Sequence, residues 1–140
     1  MLKMKRAFSL IEVLIVIAIL GLIASLIVPQ VRNNTDKAKY RLSVLNLQEV
    51  AKAMEKHYLE KGVYPVFASW SDLAAGESPL LEYLNDIPTG DQWGRRYNIQ
   101  ASTESEYIFE GFKIEGKLGI EYPDYAFTNG AKLKKKGKKD

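Results

Sequence analysis

The 140-residue chain contains no cysteine, which excludes disulfides, thiolate chemistry and cysteine-bound zinc. It has a single histidine, His57, too little for a histidine-rich metal site and poor ground for a Ser-His-Asp triad. No GxxxxGK[ST] or GxGxxG pattern occurs, so the chain itself is not expected to hydrolyse ATP. A basic surface is also missing. The net charge is +3, but the excess lies at the two ends, in Lys3, Lys5 and Arg6 and in a lysine-rich stretch from Lys132 onward. The stretch between them is net acidic, which offers no groove for a nucleic-acid backbone. Charge is missing most completely from residues 13–28, where not one residue carries any.

With its flanks, 8–31, that uncharged run is long enough to cross a hydrocarbon core of about 30 Å as a helix. The basic front predicts the N-terminus in the cytoplasm and the remainder outside. A removable signal peptide fits less well, because the run is long for one and no Ala-x-Ala site follows it. One residue resists both readings. Glu12 places a carboxylate near the start of the apolar run, where an unpaired charge costs several kcal/mol. An acid in that position is expected to be functional, and its natural partner is a positive charge at the same depth.

The stretch "RAFSLIEVLIVIAILGLIASLIVPQ" resembles the N-terminus of type IV pilins and pseudopilins. The resemblance implies cleavage of a short leader between Ala7 and Phe8 by a prepilin peptidase, followed by N-methylation of Phe8. Glu12 then stands at the family's glutamate position and Pro29 at its usual proline. Ala7 departs from the family's usual glycine before the cut. The resemblance also implies an answer for Glu12. The new amine of one subunit lies near Glu12 of its neighbour, and in a low dielectric that pair favours the correct axial register. Gly21 and Pro29 mark a segment that can bend or partly melt on filament packing, with a simple membrane-helix kink as the plainer reading.

After Pro29 the pattern becomes striped. Tyr40, Val44, Leu47, Ala51, Met54 and Tyr58 recur at steps of four and three, one face of a helix. One long helix is therefore predicted from about Phe8 to Lys61, stopped by Gly62 and Pro65. His57 sits beside the stripe as a surface or boundary residue. Short helices are predicted near Asp72 to Ala75, capped by Ser71 or Ser69, and from Ser78 to Leu84, with Pro79 in the first turn. Strand patterns follow in "RRYNIQA", "EYIFEGFKI", "LGIEY" and "YAFT", with Tyr107 and Phe109 on one face and Ile108, Glu110 and Phe112 on the other. Three or four antiparallel strands laid on the helix stripe give an α+β head, the type IV pilin fold.

"HYLEKGVYP" and "EYLNDIPTGDQWGRRY" resemble the major pseudopilin of type II secretion systems, whose turn Asp91, Trp93, Gly94 and Tyr97 match. Gln92 and Arg96 replace its prolines, and one residue is inserted after Pro88. Read from the residues alone, Trp93 covers a core edge, Gly94 takes a backbone angle other residues resist, and Asp91 hydrogen-bonds its own turn. That group often ends in an Asp- and Gly-rich calcium loop. Here only Asp124, Thr128 and Asn129, with Glu121 as a further acid, offer side-chain oxygens besides tyrosines. Calcium takes six to eight oxygens, so no cofactor is expected and calcium is disfavoured.

The expected organisation is a leader at 1–7, a membrane or filament-core segment at 8–31, an amphipathic helix half at 32–61, a variable loop region at 62–96, a sheet region at 97–131 and a lysine-rich tail at 132–140. The expected product is a non-enzymatic, homo-oligomeric filament subunit of the inner membrane, which the resemblance makes the major pseudopilin of a type II secretion system in a periplasmic pseudopilus, with a type IV pilin of an extracellular surface fibre or a membrane-anchored binding head as alternatives. The implied partners are a prepilin peptidase, an inner-membrane assembly platform, a separate cytoplasmic ATPase, minor pilins or pseudopilins, and the membrane. Intact mass of the mature chain checks this: it is expected to lack Met1 to Ala7 and to carry one methyl on Phe8, whereas a simple anchor keeps its front end.

Overall fold

The computed structural model describes residues 8–116 and 119–132, with the side chains of 28–33 left aside. The lysine-rich tail from residue 133 and the leader at 1–7 lie outside the described residues. A single helix, α1, spans Leu10–Lys61, 52 residues or roughly 80 Å at 1.5 Å per residue. Its start is Ser9, whose hydroxyl accepts from the Glu12 N–H at 3.3 Å. Its end is Gly62, which caps the helix and donates to the Tyr58 carbonyl at 2.7 Å.

Two halves of α1 meet different surroundings. From Leu10 to Ile27 every residue is exposed, since none of the described residues covers this half. From Ser43 onward one face is buried against the head: Ser43, Leu47, Val50, Ala51, Met54 and His57. This face is turned relative to the predicted stripe. Tyr58 is 41% exposed and stacks on Tyr64, with ring centroids 4.6 Å apart, while Tyr40 and Val44 are half-buried. Ser43 and His57 are interior, not boundary, residues. An apolar pattern passes over them because their polarity is satisfied locally. Ser43 donates to the Lys39 carbonyl at 2.8 Å, and His57 Nδ1 lies 2.8 Å from the Val63 carbonyl.

The loop region supplies much of the core. α2, Trp70–Leu73, is capped by Ser69 and begins two residues earlier than expected. Trp70 is why: it is buried, donates from Nε1 to the Pro88 carbonyl at 2.9 Å, and meets Tyr97 and Phe109 edge-on at 4.9 and 5.6 Å. A 3-10 turn at Pro79–Glu82, capped by Ser78, buries Leu80.

β1 (Asn98–Ser102), β2 (Tyr107–Gly111) and β5 (Tyr125–Thr128) form an antiparallel sheet in the order β1-β2-β5. β3 (Ile114–Glu115) and β4 (Glu121–Tyr122) form a separate two-stranded hairpin instead of extending that sheet. The β1–β2 register shifts between Ile99 and Ala101, a bulge on the edge strand. Tyr107 and Phe109 of the central strand enter the core beside Leu47, Val50, Met54, Phe67 and Leu73. The architecture is thus the α+β type IV pilin fold. Phe109→Ala is expected to cost about 3–5 kcal/mol, whereas Leu59→Ala, at an exposed site, stays within about 0.5 kcal/mol. Urea unfolding followed by tryptophan fluorescence measures both.

Candidate functional site

At the tip of α1, Phe8 lies ahead of the helix and is 83% exposed; Ala7 lies outside the described residues. Ser9 is the N-cap and Glu12 stands three residues on, so Ser9-x-x-Glu12 has the spacing of a capping box. The sequence itself carries that signal. It gives Glu12 a reason to be tolerated in a lone chain, because a carboxylate in the first turn faces the positive end of the helix dipole. Among the described residues Glu12 makes no salt bridge, and its neighbours Leu10, Ile11, Val13 and Ile15 are all exposed and apolar. A solvent-free surrounding would therefore leave this charge without a compensating one among the described residues. Gly21 has open space where a Cβ would stand, a notch on the helix surface. The helix backbone continues through the position of Pro29.

The second group of residues lies far from the first, beside Ser43, roughly 45 Å further along the helix. Here the turn is built around Asp91, whose side chain is 1% exposed. Its Oδ1 accepts from the N–H groups of Trp93 at 3.0 Å and Arg95 at 2.9 Å, and its Oδ2 accepts from Arg95 Nε at 2.9 Å. Gly94 has φ 77°, the left-handed conformation that lets its N–H reach back to the Asp91 carbonyl. Gly90 was missed in the sequence: a Cβ there would collide with the Arg95 carbonyl. Arg95 was missed too. Besides Asp91 it donates to the Lys113 carbonyl at 3.2 Å and lies 5.4 Å over the Phe112 ring.

Ser43 pins the turn to α1 by two hydrogen bonds. Gln92 N–H donates to the Ser43 hydroxyl at 2.9 Å, and the Tyr97 hydroxyl donates to the Ser43 carbonyl at 2.7 Å. Burial, with Tyr125 beside it, pushes the Tyr97 hydroxyl well above its ordinary range, so it remains a donor. Trp93 is half-buried and sits under the Lys39 ammonium, 5.8 Å away, outside the core that Trp70 fills. Further up the helix, the half-buried Glu55 carboxylate accepts from the hydroxyls of Tyr64 at 3.1 Å and Tyr107 at 3.0 Å. Burial first, then the bond to Glu55, raises the Tyr107 hydroxyl.

Residues 2–28 match the family described as the prokaryotic N-terminal methylation motif. The type II secretion system core protein G of Vibrio cholerae is 36% identical over 105 residues, 68% of this chain and 71% of the relative. The Klebsiella pneumoniae protein of the same name is 32% identical over 104 residues, 68% and 74% of the two chains. The chain belongs to the type II secretion system core protein G family. The Pseudomonas aeruginosa member is 28% identical over 127 residues, 84% of this chain and 89% of that one. No solved structure matches. As a pseudopilin, the chain is a structural subunit of a pilus-like filament, anchored by its apolar N-terminal helix.

In the pseudopilin head, Asp91→Ala orphans two backbone N–H groups and removes the carboxylate partner of Arg95. A loss of about 1–3 kcal/mol is expected. Asp91→Asn keeps the Oδ1 acceptor and should lose less. Thermal unfolding of the pair checks the order.

Proposed function

We propose that this chain is the major, non-enzymatic subunit of a secretion pseudopilus, and that Glu12 sets the axial register of the filament. The observation that carries the reading is the isolation of Glu12: an exposed carboxylate on a helix whose surroundings from Leu10 to Ile27 are apolar and uncovered. In the inner membrane, with the head outside the cytoplasm, the capping position shields part of that charge. Cleavage between Ala7 and Phe8 creates an amine one residue ahead of the N-cap. The methylated Phe8 amine of one subunit then meets Glu12 of the next as the helices slide together. In a low dielectric, a misregistered neighbour leaves both charges unpaired, which is costly enough to reject it.

Assembly exchanges lipid contacts for helix contacts, with Gly21 allowing close approach and the segment to Pro29 free to adjust. The work of extraction comes from a separate cytoplasmic ATPase through an inner-membrane platform, after a prepilin peptidase has acted. Minor pseudopilins complete the filament, which is periplasmic. The head's charged groups support a structural role: Asp91 and Arg95 are consumed by the turn and Glu55 by tyrosine hydroxyls, leaving no catalytic pair among them.

Glu12→Gln separates charge from capping, since glutamine at this position still suits a capping box. Both Glu12→Gln and Glu12→Ala are expected to insert in the membrane yet fail to form filaments. Normal filaments from the glutamine variant would refute the register role. Deletion of the chain in its host is expected to abolish protein secretion and leave surface fibres in place; the opposite result would make it a surface pilin.

A further inference from the structure

The segment that closes the head runs from Glu121 to Thr128, and Tyr40 of α1 meets it at several points. Tyr40 stacks on Tyr122 of β4, centroids 4.9 Å apart and planes at 28°, and meets Tyr125 of β5 edge-on at 5.6 Å. Its hydroxyl donates to the carbonyl of Pro123, between those two strands, at 2.7 Å. Three attachment points, Tyr122, Pro123 and Tyr125, thus converge on one side chain. Tyr125 is seated in turn over Gly111 of β2, where any Cβ would strike its ring. The loop is further tied by Asp124, whose Oδ1 accepts the Lys113 N–H at 2.6 Å.

The related secretion pseudopilins imply a calcium ion in this region, and the donor set here does not fit one. Calcium takes six to eight oxygens, several from carboxylates. The Asn129 side-chain oxygen accepts the Tyr107 N–H at 3.3 Å, while its Nδ2 donates to the Ser105 carbonyl at 2.9 Å. Thr128 Oγ1 donates to the Ala131 carbonyl at 3.4 Å, and Asp124 already serves Lys113. Glu121 stands on the hairpin directly opposite Glu115, and Lys113 approaches Glu115 at 3.9 Å. Among the described residues no group of three or more acids or histidines converges as a metal site.

We propose that Tyr40 is the clasp of the C-terminal segment and that this head closes without calcium. Aromatic stacking and edge contacts, with one hydroxyl bond to the backbone, hold the β4–β5 connection against α1. The ring sits on the rigid helix, so the clasp aligns the closing segment with α1 directly. It makes closure independent of the calcium level outside the cytoplasm. This goes beyond the filament role and does not rest on it.

The test uses the full chain in detergent, with unfolding followed by the fluorescence of Trp70 and Trp93, in calcium chloride and in EGTA. The midpoint is expected to agree within about 1 °C in the two buffers, since a ligand that does not bind the native state does not stabilise it. Tyr40→Ala is expected to lower it by roughly 5–10 °C in both. Tyr40→Phe keeps the rings, loses only the bond to Pro123, and should fall between; it serves if the alanine variant does not fold. A rise with calcium that Asp124→Asn abolishes would overturn the proposal. So would a Tyr40→Phe midpoint equal to wild type together with an unchanged Tyr40→Ala midpoint.

Discussion

α1 has to bury one face against the head from Ser43 to His57 while leaving every face of Leu10–Ile27 apolar and uncovered. Backbone hydrogen bonding is what lets one element do both. An α-helix satisfies its own N–H and C=O groups, so it can pass from an apolar surrounding to an aqueous one without changing its fold. Only the side chains have to change, and they do: from mainly Leu, Ile, Val and Ala, interrupted by Glu12, to a single buried stripe with Lys and Glu around it. The rest of the molecule is fitted to the second half. The sheet, α2 and the 3-10 turn all contribute to the core on that stripe.

Two carboxylates show how position decides what an acid does here. Asp91 is buried, and its own chain answers it with a guanidinium and two backbone donors. Its charge is spent on fixing a turn. Glu12 is exposed on an apolar helix with the dipole of its first turn as local company. The first arrangement closes on itself; the second stays open to a second chain. That contrast is the physical basis for proposing an assembly role at the helix tip, beside the structural role of Asp91 in the turn.

Ser43 joins α1 to the turn of the head. Its hydroxyl donates down the helix to Lys39 and accepts from Gln92, while its carbonyl takes the Tyr97 hydroxyl. A larger side chain here would push the turn off the helix. An apolar one would orphan Gln92. A small hydroxyl that is fully buried is invisible to any search for apolar periodicity, and so was its partner role for Tyr97. His57 escaped for the same reason.

Much was legible without coordinates, because it depends on local chemistry. Residue order alone determined the uncharged run and its length, the anomaly of Glu12, the helix stop at Gly62, and the alternation that sends Tyr107 and Phe109 inward. Periodicity and backbone propensity act over a few residues, so they can be read from a few residues. Tertiary structure alone decided the rotation of the buried helix face toward Val50 and His57, the choice of Trp70 over Trp93 for the core, the split of the strands into a sheet and a hairpin, and the meeting of Tyr40 with Tyr122, Pro123 and Tyr125. Each depends on which distant surface arrives opposite a side chain. Tyr40 and Tyr125 are eighty-five positions apart, and no local pattern encodes that distance closing to a ring contact.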